Sequence, residues 1–410
     1  MMISSGGAMM DALRQLDLLT PDQLAQLPNL AQGRCGNARQ LAKALLHRDW
    51  LTVFQVNQLL VGHGDNLVIG PYQVLDRLGQ GGLSAVYKAK HREYEDLVAI
   101  KIIKPEVFAC QEGRAQFLQE VEAMARFDHP NIVQFCDADQ WRDTFYFAME
   151  YVEGTDLGKV IRLSGAMPVA AAADYIRQTA LGLQHAFERN LIHRDIKPVN
   201  LFLTQISDAP NLKSIFATAS EPAAPKNSMQ KTMCVRSLIK ILDWGLASLR
   251  VPKGPANQLS EAAAAGIIGT ADYISPEQAC NANAVDIRGD IYSLGCSFYF
   301  LLTGQAPFPE GTLMQKVLQH QHAEPKPIES FREDVPPEVI SIVKRMMAKK
   351  PEDRFQTPAS VALALMPFTR RTVMPAMTSS TLIQPRPKHR DDTPIPPTLS
   401  VHQRTVAKSR

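Results

Sequence analysis

The run His193-Arg194-Asp195-Ile196-Lys197-Pro198-Val199-Asn200 sets a carboxylate, an ammonium and a side-chain amide a few residues apart. Asp195 can accept a hydroxyl proton or orient an attacking oxygen. Lys197 can neutralise charge on a group in transit, and the Asn200 amide oxygen can hold a hard cation. Those three tasks are the ones phosphoryl transfer asks of a protein, because its catalysis is mostly positioning and charge stabilisation. A second carboxylate stands in Asp243-Trp244-Gly245, just past the apolar run Leu238-Ile239-Lys240-Ile241-Leu242. An acid at a strand end followed by glycine suits a magnesium ligand on a turn.

Two further groups need elements to place them. Val98-Ala99-Ile100-Lys101 ends in a lysine on a strand that reads as buried, and a charge there requires a partner. Glu120 lies on a following helical stretch that should pack over the sheet. Glu122 points about 200° round the helix from it, toward solvent. Gly79-Gln80-Gly81-Gly82-Leu83-Ser84-Ala85-Val86 sits between two strand-like runs. Glycines there let backbone N–H groups approach phosphates, although a hairpin without a ligand would look the same. A dinucleotide-binding turn would open a helix at these glycines, and Ala85-Val86-Tyr87 reads as strand instead.

The surrounding pattern divides the chain. Residues 72–78, 84–89, 97–103 and 145–152 are short and rich in strand formers. Residues 116–127, 170–189 and 290–302 follow helical spacing. Strands first and helices later predict an α+β chain with a small antiparallel-sheet lobe and a larger helical lobe, over residues 72–366. Residues 204–236 read as a disordered insertion and 367–410 as a disordered tail rich in Pro, Thr and Arg. Residues 1–65 read as a small all-α module. In it Thr20/Thr52, Gln23/Gln55, Gln26/Gln58 and Leu27/Leu59 repeat one another, each threonine capping a helix start. Such a module is either an extension packed on the main domain or a partner-binding unit.

Composition narrows the class. Apolar residues make up 45% and charged residues 21% of the 410, an ordinary globular mixture. A net charge of +3 gives no reason to expect nucleic-acid binding. The six cysteines form no C-x-x-C pair, which points to reduced thiols rather than a disulfide or zinc framework. The first ten residues lack the pattern of a secretory signal, and the apolar run 291–302 is too short to span a bilayer. A cytoplasmic protein with no membrane span is expected.

With these motifs in order, residues 72–366 resemble the Hanks-type protein kinases, and most of all the bacterial serine/threonine kinases. The resemblance implies the two-lobed protein-kinase fold, ATP, and Mg2+ with Mn2+ as a substitute. It implies that Leu78, Gly79, Gly81, Gly82, Ser84 and Val86 cover the nucleotide. Lys101 would bind phosphates and pair with Glu120. Val86, Ala99 and Phe202 would sandwich adenine, with Met149 as gatekeeper and Glu150 to Val152 as hinge. Asp195 would be the catalytic aspartate assisted by Lys197, and Asn200 and Asp243 would hold the metal. Protein substrates bearing Ser or Thr follow, autophosphorylation among them, and a homodimer is compatible. Ser275-Pro276-Glu277 and Arg354 are expected to form a buried Glu277–Arg354 pair, with Asp290 at a helix start near the catalytic loop.

The departures concern control. Trp244 replaces the usual Phe, and Ala262 and Ala264 occupy positions where related kinases carry phosphorylatable threonines. Arg194 would ordinarily hold such a phosphate. The reading from another class is an inactive kinase-fold scaffold. It would be signalled by loss of Lys101, Asp195, Asn200 or Asp243, and all four are present.

Overall fold

The computed structural model describes residues 3–34, 37–81, 84–104, 121, 122, 124–207, 235–244, 271–280 and 285–369. Four helices come first: α1 (Gly6–Gln15), α2 (Pro21–Arg34), α3 (Ala38–His47) and α4 (Val53–Leu60). A six-stranded antiparallel sheet follows, built from β1 (Val68–Ile69), β2 (Tyr72–Gln80), β3 (Ser84–His91), β4 (Leu97–Ile103), β5 (Phe135–Trp141) and β6 (Thr144–Glu150). Its spatial order is β1-β2-β3-β4-β6-β5.

Strand periodicity divides this sheet's side chains between two cores. Val98 and Ile100 of β4 join Leu13, Leu41, Leu45 and Leu59 of the helices in one cluster. Ala99 and Ile103, one residue out of phase, join the core of the helical lobe. Successive side chains point to opposite faces of a strand, so one apolar run serves both. The N-terminal helices thus cover the sheet face turned away from the helical lobe, and the described residues form one compact unit. A register shift between Val74 and Asp76 breaks the regular β2–β3 pairing. At that break Gln55 Nε2 donates to Val74 O at 2.8 Å and Thr52 Oγ1 donates to Leu75 O. Helix α4 therefore supplies donors where a bulge disturbs the ladder.

The sheet also curls until its first and last strands meet. Trp141 Nε1 on β5 donates to Val68 O on β1 at 3.2 Å. The hydroxyls of Tyr72 on β2 and Tyr146 on β6 both donate to Asp137 Oδ2 on β5, each at 3.3 Å. Burial, reinforced by the Asp137 charge, raises both phenols well above their ordinary range.

A second, three-stranded sheet contains β7 (Thr155–Asp156), β8 (Leu201–Ser207) and β9 (Val235–Ile241). Between β7 and β8 come α5 (Leu157–Ser164) and α6 (Val169–Phe187). The described residues continue with α7 (Pro276–Cys280), α8 (Ile287–Thr303), α9 (Leu313–His322), α10 (Pro337–Met346) and α11 (Pro358–Leu365). Helix α8 is buried along nearly its whole length, which is why its sequence is apolar on every side. No helix among the described residues is long and apolar enough to cross a membrane.

The β8–β9 pairing is longer than the sequence suggested. It runs from Leu201↔Ile241 to Ser207↔Val235, so an insertion placed at 204–236 begins only after Ser207. Backbone pairing carries the strands beyond the apolar residues that mark them in the sequence. The remainder of that insertion and the tail after residue 369 lie outside the described residues.

Candidate active site

The register of the first sheet places Val86 opposite Lys101, Lys101 opposite Phe147, and Ala99 opposite Met149. Paired residues share a face, so all five lie on the side toward the helical lobe. Leu78 and Gly79 lead into the hairpin, closed by Gly81 N donating to Ser84 O at 2.8 Å. A Cβ built on Gly79 would meet nothing within 4 Å, leaving open space there. Gly82 lies outside the described residues.

Lys101 is 2% exposed, and its Nζ lies 2.8 Å from Asp243 Oδ1. Glu120, the partner expected from the sequence, lies outside the described residues. Glu122 is exposed, as its helical phase predicts.

The 193–200 loop is held from several sides. Asp290 is buried on α8, where its Oδ2 accepts from His193 N and its Oδ1 from Arg194 N, each at 2.7 Å. Burial raises its carboxyl pKa, while these two N–H groups and the Arg194 charge act in the opposite direction. His193 Nδ1 accepts from Asp195 N at 3.2 Å, which leaves the ring proton on Nε2, 2.8 Å from Leu242 O. Gln278 Nε2 donates to Arg194 O at 2.8 Å. Arg194 (φ 64°) and Asp243 (φ 62°) both adopt the left-handed region, a strained state for residues with a side chain. Arg194 Nε is buried with no hydrogen-bond partner among the described residues.

Within this frame Lys197 Nζ reaches both oxygens of Asp195, at 2.9 and 3.0 Å. Asn200 Nδ2 donates to Asp195 O at 2.7 Å, which orients the amide and leaves its Oδ1 as the acceptor. Asn200 O accepts from Leu242 N at 2.9 Å, tying the loop to the residue before Asp243. One carboxylate and one amide oxygen are hard donors and too few to enclose an ion. That set fits a divalent cation completed by phosphate oxygens and water.

Trp244 is buried against Phe127 and His193, with ring centroids 5.2 and 4.8 Å apart. It borders a cavity shared with Met124, Phe135, Phe147 and Met149. Arg354 is fully buried and grips Glu277 with two bonds of 2.7 and 2.8 Å, the pair anticipated from the sequence. Phe202 is half-buried on β8, paired across the sheet with Asp156 and Lys240.

Two features escaped the sequence. Glu150 is expected in the hinge, but nothing in the sequence says that its carboxylate pairs with Lys240 and accepts from Gln134 N at 2.8 Å, anchoring the segment that runs on to Val152. Asn131 went unnoticed. Its Nδ2 donates to Ile239 O at 2.8 Å and its O accepts from Ile241 N at 2.9 Å, fixing β9 just before Asp243. The local sequence offers only a turn signal at Pro130-Asn131, with an asparagine whose side chain can bond backbone groups.

Comparison with known proteins places this geometry. The model of the protein kinase domain matches residues 72–365. A serine/threonine-protein kinase PknB of Mycobacterium leprae is 29% identical over 72% of this chain and 42% of its own length. Serine/threonine-protein kinase Pkn1 of Myxococcus xanthus is 31% identical over 72% of this chain and 38% of its own. The chain thus spans less than half the length of these curated relatives. The crystal structure of the Mycobacterium tuberculosis PknI kinase domain covers 73% of this chain and 97% of its own, with TM-score 0.52 and 24% identity, a likeness of fold.

Proposed function

Since the chain belongs to the protein kinase domain family, we propose that it is a serine/threonine protein kinase that moves the γ-phosphoryl group of ATP to Ser and Thr hydroxyls of proteins, its own included. The observation that carries this reading is the contact of Lys197 Nζ with both Asp195 oxygens while Asn200 bonds the same residue's carbonyl. A carboxylate fixed this way is ready for a hydroxyl, and the ammonium beside it is ready for phosphate charge.

Asp195 orients the substrate hydroxyl. As that oxygen bonds the γ-phosphorus and the β–γ bridging P–O bond breaks, the hydroxyl proton passes to the Asp195 carboxylate and the leaving oxygen stays on ADP. Lys197 offsets the charge spread over the phosphoryl oxygens, and Lys101 holds the α- and β-phosphates. Asn200 and Asp243 would hold a divalent cation, and that ion would supply neutralisation of the phosphate charge. Mg2+ is the cation of this reading, Mn2+ its substitute, and the cytoplasm its location. Val86, Ala99 and Phe202 enclose adenine, and Met149 limits the depth of the pocket.

Asp195→Asn is expected to lower phosphotransfer by at least about 100-fold while ATP still binds, measured with radiolabelled ATP and by nucleotide titration. Turnover near the wild-type rate would overturn the assignment.

A further inference from the structure

The helical module is built twice, with the two units offset by 32 residues. Ser5 caps α1 and Asn37 caps α3 through equivalent side-chain bonds. Asp17 and Asp49 both take a left-handed turn, with φ of 51° and 54°. Capping boxes follow at Thr20/Gln23 and at Thr52/Gln55. The buried pairs Met9/Leu41, Leu13/Leu45 and Leu27/Leu59 correspond in the same way. Ser5 and Asn37 themselves meet in an antiparallel bridge, as equivalent residues do across a local two-fold.

Only the second unit uses its helix start against the sheet. There Thr52 Oγ1 and Gln55 Nε2 donate to the carbonyls of Leu75 and Val74, Val56 is buried, and Phe54 lies 6.1 Å from Tyr87. In the first unit Thr20 is exposed and Leu24, the counterpart of Val56, is half-buried. Gln23 Oε1 accepts from Thr20 N at 3.0 Å, while its Nε2 has no partner among the described residues. A capping box needs only that acceptor, and Glu would provide it with a charge better suited to a helix N-terminus. The amide adds a donor, and in the second unit that donor grips a strand.

The open face adjoins a contact already made. The turn before it holds the sheet through Gln73 Nε2 to Leu18 O at 3.0 Å and through the Arg92–Asp17 pair at 2.6 Å. Where the second unit presents Phe54 to Tyr87, the first presents Asp22.

We infer that Thr20, Gln23 and Leu24 form a docking surface for an extended segment of a partner protein. That segment offers two successive backbone carbonyls to Thr20 Oγ1 and Gln23 Nε2, sets an apolar side chain on Leu24, and carries Lys or Arg opposite Asp22. For extended peptides, main-chain hydrogen bonds give affinity and individual side-chain contacts give specificity.

The test pans the full chain against a random-peptide display library. Selected peptides should combine an apolar strand-forming residue with Lys or Arg, and binding should protect the start of α2 from hydrogen exchange. Gln23→Glu keeps the cap and removes the donor. It should weaken the selected peptides about tenfold or more at a melting temperature no lower than wild type. Gln26→Glu, off the box, should leave them unaffected, and Asp22→Asn should weaken the basic ones. Failure to enrich any sequence would overturn the proposal. So would selected peptides that bind Gln23→Glu as well as wild type, or that an ATP analogue displaces.

Discussion

Lys101 Nζ and Asp243 Oδ1 stand 2.8 Å apart, joining the fourth strand of the first sheet to the turn that follows β9. Lys101 is almost fully buried and Asp243 about one-third exposed, so the acid keeps an open side that can face a cation. Lys101→Met is therefore expected to cut kcat/KM by about 100-fold or more, through loss of a charge preorganised for phosphate. Radiolabelled phosphotransfer beside a thermal melt checks this, because a merely structural loss would lower the melting point along with activity.

The Arg354–Glu277 pair is a stability element. Arg354 also donates to Ala348 O, Arg288 O and Lys349 O at 2.7 to 2.9 Å, so every face of its guanidinium is used. Arg354→Met leaves the Glu277 carboxylate without its partner and is expected to cost about 3–5 kcal/mol. In urea unfolding, the double variant Arg354→Met/Glu277→Met should lose less than the sum of the singles.

Gln55 and Gln23 occupy equivalent positions but different surroundings. Gln55→Met removes the donor to Val74 O from a buried site and should cost about 1–3 kcal/mol. Gln23→Met at the open site should cost only the cap, below about 1 kcal/mol. Hydrogen exchange in the β2–β3 hairpin should rise for the first variant and stay level for the second.

His320 gives the helical lobe an acid-sensitive point. It is fully buried, Tyr292 Oη lies 2.9 Å from its Nδ1, and burial, with Lys349 nearby, lowers its pKa from 6.5 to about 4. The folded state thus favours the neutral ring. Its contribution is complete above pH 6.5 and is lost as pH falls from there through about 4, where the unfolded chain binds the extra proton. The span corresponds to on the order of 3 kcal/mol. His320→Gln should be less stable than wild type at pH 7, and the gap should close toward pH 4.5.

Legibility followed distance along the chain. The 193–200 loop was readable because its carboxylate, ammonium and amide meet through bonds spanning two to five residues, which spacing alone nearly fixes. The Glu277–Arg354 pair was anticipated as a buried ion pair between two charged residues of the helical lobe, although nothing local joins them. The repeat in residues 1–65 was visible as Thr/Gln spacing, and both capping boxes formed as that spacing required. Its attachment to the sheet was not visible, because a strand that is apolar on both faces does not say what covers the second face.

The sequence by itself determined the chemical inventory, the order of strands and helices, and the local loop that gathers Asp195, Lys197 and Asn200. Tertiary structure alone decided that Lys101 meets Asp243, that Glu150 is anchored by Lys240, and that Gln55, not its twin Gln23, grips β2. These contacts join residues far apart in the chain. Their choice depends on register and on which face each element buries, quantities set by the packing of the whole lobe rather than by neighbours in sequence.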